Sequence, residues 1–158
     1  MVIMGRSIHY LKKNKCVEKP HHIIVVDTET HIEHLEDSEY SQKQTFKLGC
    51  AIYLRWDNRM SKWLEEELEF YSLDEFHRFL DLIAMPKRKV IVFAHNASFD
   101  YTILKMDTYF SSRNYEMDMR TATAVFIINA RKYGDNGTMT ISFADTMNYY
   151  RMLSLIHI

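Results

Sequence analysis

From His22 to Asp27 the chain reads HIIVVD, a short unbroken run of apolar, mostly β-branched residues. Such a run suits a buried strand. Its last residue is a carboxylate, and Thr28 and Glu29 follow at once. A second run, Val90–Ala94 (VIVFA), leads into the polar junction His95–Phe99 and then Asp100. Two buried strands that each leave the core at an acidic junction restrict the fold sharply. They call for an α/β sheet whose strand carboxyl ends carry the polar chemistry, the usual ligand position in such sheets.

The remaining segments fit around these two. Residues 1–21 are mixed and basic and read as a lead-in. Thr30–Gln44 is polar and acidic, a loop; Phe46–Trp56 is rich in strand formers, Asp57–Met60 is a turn, and Glu67–Tyr71 is a paired third strand. Ser72 then opens a helix through the capping box SLDE, with Glu75 at its third position. Leu73, Phe76, Phe79, Leu80 and Ile83 follow at helical spacing, and Pro86 ends the helix. Asp100–Tyr109 reads as a second helix. Ala124–Ala130 and Thr138–Phe143 are strands around the turn Gly134–Gly137, and Asp145–Tyr150 starts a further helix. The order β-β-β-α-β-α-β-β-(α) is a mixed α/β layout that begins with a strand meander.

Composition bounds the function. At 158 residues one domain is expected, and 47% hydrophobic with 13% aromatic residues excludes global disorder. No apolar run approaches the roughly 18–20 residues that span a bilayer, so no membrane association is expected. Met1–Met4 is apolar, but Arg6, Lys12, Lys13 and Lys15 follow too soon for a signal peptide. Cys16 and Cys50 make neither a disulfide framework nor a zinc knuckle, so a reducing, cytoplasmic setting is the default. A formal charge of −1 argues against a purely electrostatic DNA binder. It leaves room for an enzyme that handles nucleic acid through metals held on carboxylates.

Asp27 and Glu29 stand at i and i+2 of a strand, so their side chains share a face. Two neighbouring carboxylates repel, which raises a pKa unless a cation neutralises them. An oxygen-rich site of this kind suits Mg²⁺ or Mn²⁺; the plainer reading is the acidic start of a loop. Asp100, just after the second buried strand, is placed to face the same site, and it can equally serve as the N-cap of its helix.

IVVDTET and FAHNASFDYTIL together resemble the first two motifs of the DEDD 3′–5′ exonucleases. The likeness is greatest to the proofreading domains of family B DNA polymerases, which carry DxE and then Nx2–3(F/Y)D. Asp27-Thr28-Glu29 and Asn96-Ala97-Ser98-Phe99-Asp100 match both. The stretch Ile141–Tyr150 is similar to the strand-to-helix segment that follows in the protein-primed branch, known from phages, plasmids and organelles. The resemblance covers roughly residues 22–150, within a domain taken as 22–152. It implies a ribonuclease H-like fold, a mixed five-stranded sheet flanked by helices. It implies two divalent ions, Mg²⁺ or Mn²⁺, on Asp27, Glu29 and Asp100 as catalytic and metal-binding residues. One ion generates the attacking hydroxide and the other stabilises the leaving 3′ oxygen; Asp27 bridges both, Glu29 binds the first and Asp100 the second. Thr28, Thr30, Asn96 and Phe99 make the substrate-binding set at the 3′ end of single-stranded DNA. Phe99 stacks on or wedges against a base, or simply packs in the core. A terminal protein primer, met through a polymerase part, is the further partner implied. Stand-alone action on DNA or RNA, and a nucleic-acid-binding remnant, are the alternatives.

The family also has a fourth carboxylate, in YxxxD or HxxxD beyond the second motif. Tyr53–Asp57 and His77–Asp81 fit these patterns but precede Asp100, so both read as chance. Asp107, Asp118, Asp135 and Asp145 lack Tyr or His four residues earlier; Asp145 is expected to cap the helix it starts. The closing LSLIHI, Leu153–Ile158, is what a transposon mosaic-end adapter encodes in one frame. On that reading residues 153–158 are an adapter-encoded tail, native sequence ends near Met152, and the last helix or helices of the fold are missing. Ser154-Leu155 mimics an SLxxh DNA-binding motif inside that tail and carries no weight.

Weaker signals remain. His31 and His34 with Glu33 and Glu36 lack a second ligand pair for zinc and read as a solvated acidic loop. His21 and His22 precede the first strand and read as partly exposed. His95 reads as a packed or hydrogen-bonded histidine near Asp100. Lys12, Lys13, Lys15 and Lys19, and again Lys87, Arg88 and Lys89, are basic clusters able to touch phosphates, although most such runs are solvated faces. The ten methionines read as core filler, and Ser98 lacks the His/Asp partners of a serine hydrolase.

Overall fold

Alternation sets the two sides of the first strand. β1 (His22–His34) buries Ile24, Val26 and Thr28 on one face and turns Val25, Asp27 and Glu29 to the other, where they are exposed. A computed structural model describes residues 20–34, 42–122 and 125–148. The basic lead-in up to residue 19, the chain beyond Asn148 and the LSLIHI tail lie outside the described residues.

β1 pairs antiparallel with β2 (Gln42–Asp57), which pairs antiparallel with β3 (Lys62–Phe70), the meander anticipated from sequence. On its other side β1 pairs parallel with β4 (Lys89–Ala94), and β4 pairs parallel with β7 (Met139–Asp145). β6 (Val125–Lys132) then joins β7 antiparallel, and β5 (Glu116–Ala122) joins β6 antiparallel. The sheet is therefore seven-stranded, in the order β3-β2-β1-β4-β7-β6-β5. The resemblance implies five strands and the residue pattern marks six; the seventh, absent from both, is β5. β3-β2-β1-β4-β7 forms a contiguous mixed set, and the hairpin β5–β6 extends it at the β7 edge. Residues 30–34 and 42–44, expected as loop, are instead the far ends of β1 and β2, which continue past a bulge at Glu29/Thr30.

α1 (Leu73–Ile83) begins where the capping box placed it. Glu75 N–H donates to Ser72 Oγ, and Glu75 Oε2 accepts from the main-chain N–H groups of Tyr71 and Ser72. Its Phe76, Phe79, Leu80 and Ile83 are buried, as their spacing required. The second helix is two short ones. α2 (Ala97–Ile103) starts three residues before Asp100, and α3 (Met106–Ser112) follows a break at Lys105, whose backbone is left-handed at φ 51°. The helix expected from Asp145 is, in its described part, a 3-10 turn, Thr146–Asn148.

All three helices pack on the face that buries Ile24, Val26, Tyr53, Phe70, Val90, Val92, Ile128, Ile141 and Phe143. Phe76 stacks on Phe70, Phe79 meets Tyr53 edge-on, and Tyr101 meets Phe143 edge-on. On the opposite face the cross-strand partners Val25 and Ile52 remain 41% and 38% exposed. No helix among the described residues is long and apolar enough to cross a membrane.

Candidate functional site

The parallel strands β4 and β7 end side by side, level with the point just past Val25 where β1 leaves its pairing with β4. Asp27, the His95–Asn96 turn and Asp145 therefore gather at one edge, the carboxyl-end position where α/β sheets hold ligands. Both acidic motifs lie there.

Asp100 comes to this edge on α2. Asn96, not Asp100, holds the N-cap position of its helix, in the left-handed conformation (φ 57°, ψ 51°) and without a side-chain capping bond, and Asp100 sits in the first turn. The residue pattern hid this start, because a left-handed non-glycine leaves no reliable mark in sequence. Asp100 is 2% exposed. Its Oδ1 accepts from Thr28 Oγ1 at 2.7 Å, across 72 residues of sequence. Burial pushes the Asp100 carboxyl up to about 6; the Thr28 hydroxyl opposes this, and the charge of Asp27 adds to it.

Thr28 thus lies buried at 8% exposure and faces Asp100, while Asp27 and Glu29 are exposed on the alternate side of β1. Among the described residues, no three His, Cys, Asp or Glu side chains are grouped closely enough to hold a metal ion. The donor chemistry, hard oxygens in mutual repulsion, fits a divalent cation; the spacing of the three carboxylates as they stand is not a closed coordination group. Thr30 is half-buried beyond the bulge. Asn96 is exposed, and its Oδ1 accepts from Ser98 Oγ at 3.4 Å. Phe99 is half-buried, between the two roles expected of it.

Asp145 is a member of this edge whose second role the sequence did not disclose. Its Oδ1 accepts from Met147 N–H at 2.8 Å and so caps the turn it begins, as anticipated. Its Oδ2 accepts from Ala97 N–H at 3.1 Å and so fastens β7 to the first residue of α2. His95 Nδ1 lies 3.1 Å from Thr146 Oγ1, a second tie between the ends of β4 and β7. Gly49 also escaped notice. It stands in β2, opposite Thr28 of β1 and Phe70 of β3, and a Cβ there would lie 2.1 Å from the Phe70 ring. A glycine inside a strand pattern is the signal that marks such a close approach.

Both chance matches to the missing carboxylate pattern have structural work. Asp57 accepts from the N–H groups of Arg59 and Met60 in the β2–β3 turn. Asp81 pairs with Arg113 at 2.7 Å and accepts from Tyr109 Oη at 2.9 Å. Burial would raise the Asp81 carboxyl, and these two partners outweigh it and hold it below its usual range.

No protein-family model, no curated protein and no solved structure matches this chain.

Proposed function

We propose that the chain is a metal-dependent 3′–5′ exonuclease domain of ribonuclease H-like architecture, of the kind that proofreads for family B DNA polymerases. One observation carries the reading: the Thr28–Asp100 hydrogen bond joins the DxE segment to the NxxFD segment at the carboxyl ends of parallel strands. The contiguous five-strand set β3-β2-β1-β4-β7 supports the architecture. Asp27, Glu29 and Asp100 would hold Mg²⁺ or Mn²⁺. Bound there, such ions supply an activated water and neutralise charge on the scissile phosphate. The chain's own part is positional. Thr28 fixes the rotamer of Asp100, Asp145 holds the start of α2, and the exposed Asn96 and half-buried Phe99 face the 3′-terminal nucleotide of single-stranded DNA.

A second reading, nucleic-acid binding without cleavage, is favoured by the division of the carboxylates between two faces of β1. One assay separates them. Incubated with 5′-labelled single-stranded DNA and Mn²⁺, the chain should shorten the strand from its 3′ end, and Asp27→Ala should abolish this. A substrate left intact by the parent chain would sink the exonuclease reading and leave the binding one.

A further inference from the structure

At the other end of the same strands lies a cleft of about 300 Å³. Its walls include His21 and His22 at the start of β1, the run Lys87-Arg88-Lys89 leading into β4, and Ile91. No acidic side chain lines it. Among the described residues the ion pairs are Arg113–Asp81 and Arg120–Asp118, so none of these cations is neutralised by one.

The basic run is held in place. Lys87 N–H donates to Thr138 O and Thr140 N–H donates to Arg88 O, which clamps the run to the start of β7. Lys87 adopts a left-handed backbone (φ 65°), and its side chain lies over Gly137, where a Cβ would come within 2.7 Å of Lys87 Cγ. Arg88 Nη1 donates to Ile83 O at the end of α1. His22 Nδ1 is 2.6 Å from Tyr53 Oη. Burial, then the charges of Arg88, His21 and Arg55, hold the His22 imidazole below its ordinary range.

The main chain of the run is fixed by these bonds and the Arg88 guanidinium is tied to α1, so less freedom is lost when an anion binds. Three consecutive basic residues beside two histidines offer several donors to such an anion. Trp56 N–H also donates to His21 O, which sets the Trp56–Trp63 ring pair beside the same strand end. Aromatic surface next to a basic groove is the makeup of a single-strand track.

We infer that this cleft binds the phosphodiester backbone of a single-stranded nucleic acid, at the end of the sheet opposite the acidic motifs. The inference does not depend on cleavage. The test is run in EDTA, so that a failure of the exonuclease reading leaves its readout intact. The ring resonances of His21 and His22 are followed by NMR during titration with a short single-stranded oligodeoxynucleotide and, separately, with inorganic phosphate. The oligonucleotide should move both at concentrations where phosphate does not. The double variant Lys87→Asn, Lys89→Gln, which keeps a residue tolerant of the left-handed backbone at 87, should bind at least about five-fold more weakly. The slope of log affinity against log salt should fall by about 1.4, roughly 0.7 for each phosphate that the variant no longer neutralises. Unmoved resonances, a response to phosphate equal to that of the oligonucleotide, or a variant of parental melting behaviour that binds as tightly as the parent would each overturn the inference.

Discussion

A buried carboxylate keeps its charge only with help from hydrogen bonds or a cation. Asp100 has the first, from Thr28, and against it the charge of Asp27. Because its pKa in the folded chain stands near 6, above the ordinary 3.8, the native state holds this proton to higher pH than the unfolded chain does. Its contribution to stability is therefore greatest below pH 4 and is lost as pH rises through the window between the two values. Asp100→Asn cannot ionise, so the stability difference between variant and parent should move in the variant's favour by roughly 2 to 3 kcal/mol from pH 4 to pH 7. Urea unfolding of both proteins across that range measures it, and parallel curves would show that Asp100 keeps an ordinary pKa. Asp27, Glu29, Asn96 and Asp100 were all legible as two linear motifs. What the sequence withheld was that Thr28, between the two acids, is the residue that meets Asp100. Alternation separates Thr28 from its neighbours, but only the position of α2 decides which face it covers.

At the level of elements, legibility followed punctuation. The Ser72–Glu75 capping box located α1 because both halves of the reciprocal bond are written in the sequence. The break between α2 and α3 has no such mark, since Leu104 and Lys105 read as continuing helix. β5 was missed for a related reason: EMDMRTA lacks the β-branched run of a buried strand, as befits the outer member of the sheet. Two substitutions probe how elements are fastened at the carboxyl-end edge. Gly49→Ala puts a methyl into the Phe70 ring, which is itself stacked between Phe46 and Phe76. Overpacking of this kind should cost about 2 kcal/mol or more, read as a lower urea midpoint with an unchanged slope; a neutral result would mean that Phe70 has room to turn aside. Asp145→Ala strips the acceptor from Ala97 N–H and Met147 N–H. With the Ala97 group buried, a loss of about 1–3 kcal/mol is expected. Asp145→Asn, which keeps an acceptor oxygen, should recover part of it; equal losses from both variants would show that charge, not hydrogen bonding, is what this position supplies.

For the whole molecule, the two apolar runs were enough to specify an α/β sheet with a leading meander, and the described structure has one. Six of the seven strands, β6 among them, show in the local pattern; only β5, which pairs with β6 at the outer edge, does not. The formal charge of −1 likewise conceals an arrangement: acidic motifs where β4 and β7 end beside β1, and the basic run Lys87–Lys89 where β4 begins. The unequal strand lengths have a consequence in time. β1 pairs with β4 only as far as Val25, yet its ladder with β2 continues to His34 opposite Gln42. Beyond the bulge this two-stranded arm exposes His31, Ile32 and Glu33 on one strand and Lys43 and Gln44 on the other. Among the described residues neither a third strand nor a helix covers it; such a ribbon is marginal in water and opens without the rest of the sheet. In deuterated buffer the arm's amides should exchange about a hundredfold or more faster than those of Ile24 and Val92, whose side chains are fully buried. Uniform protection along β1 would show instead that the arm and the sheet open as one unit. With the expected gradient, the same strand would keep two clocks, a slow one beneath the helices and a fast one just past the two exposed carboxylates.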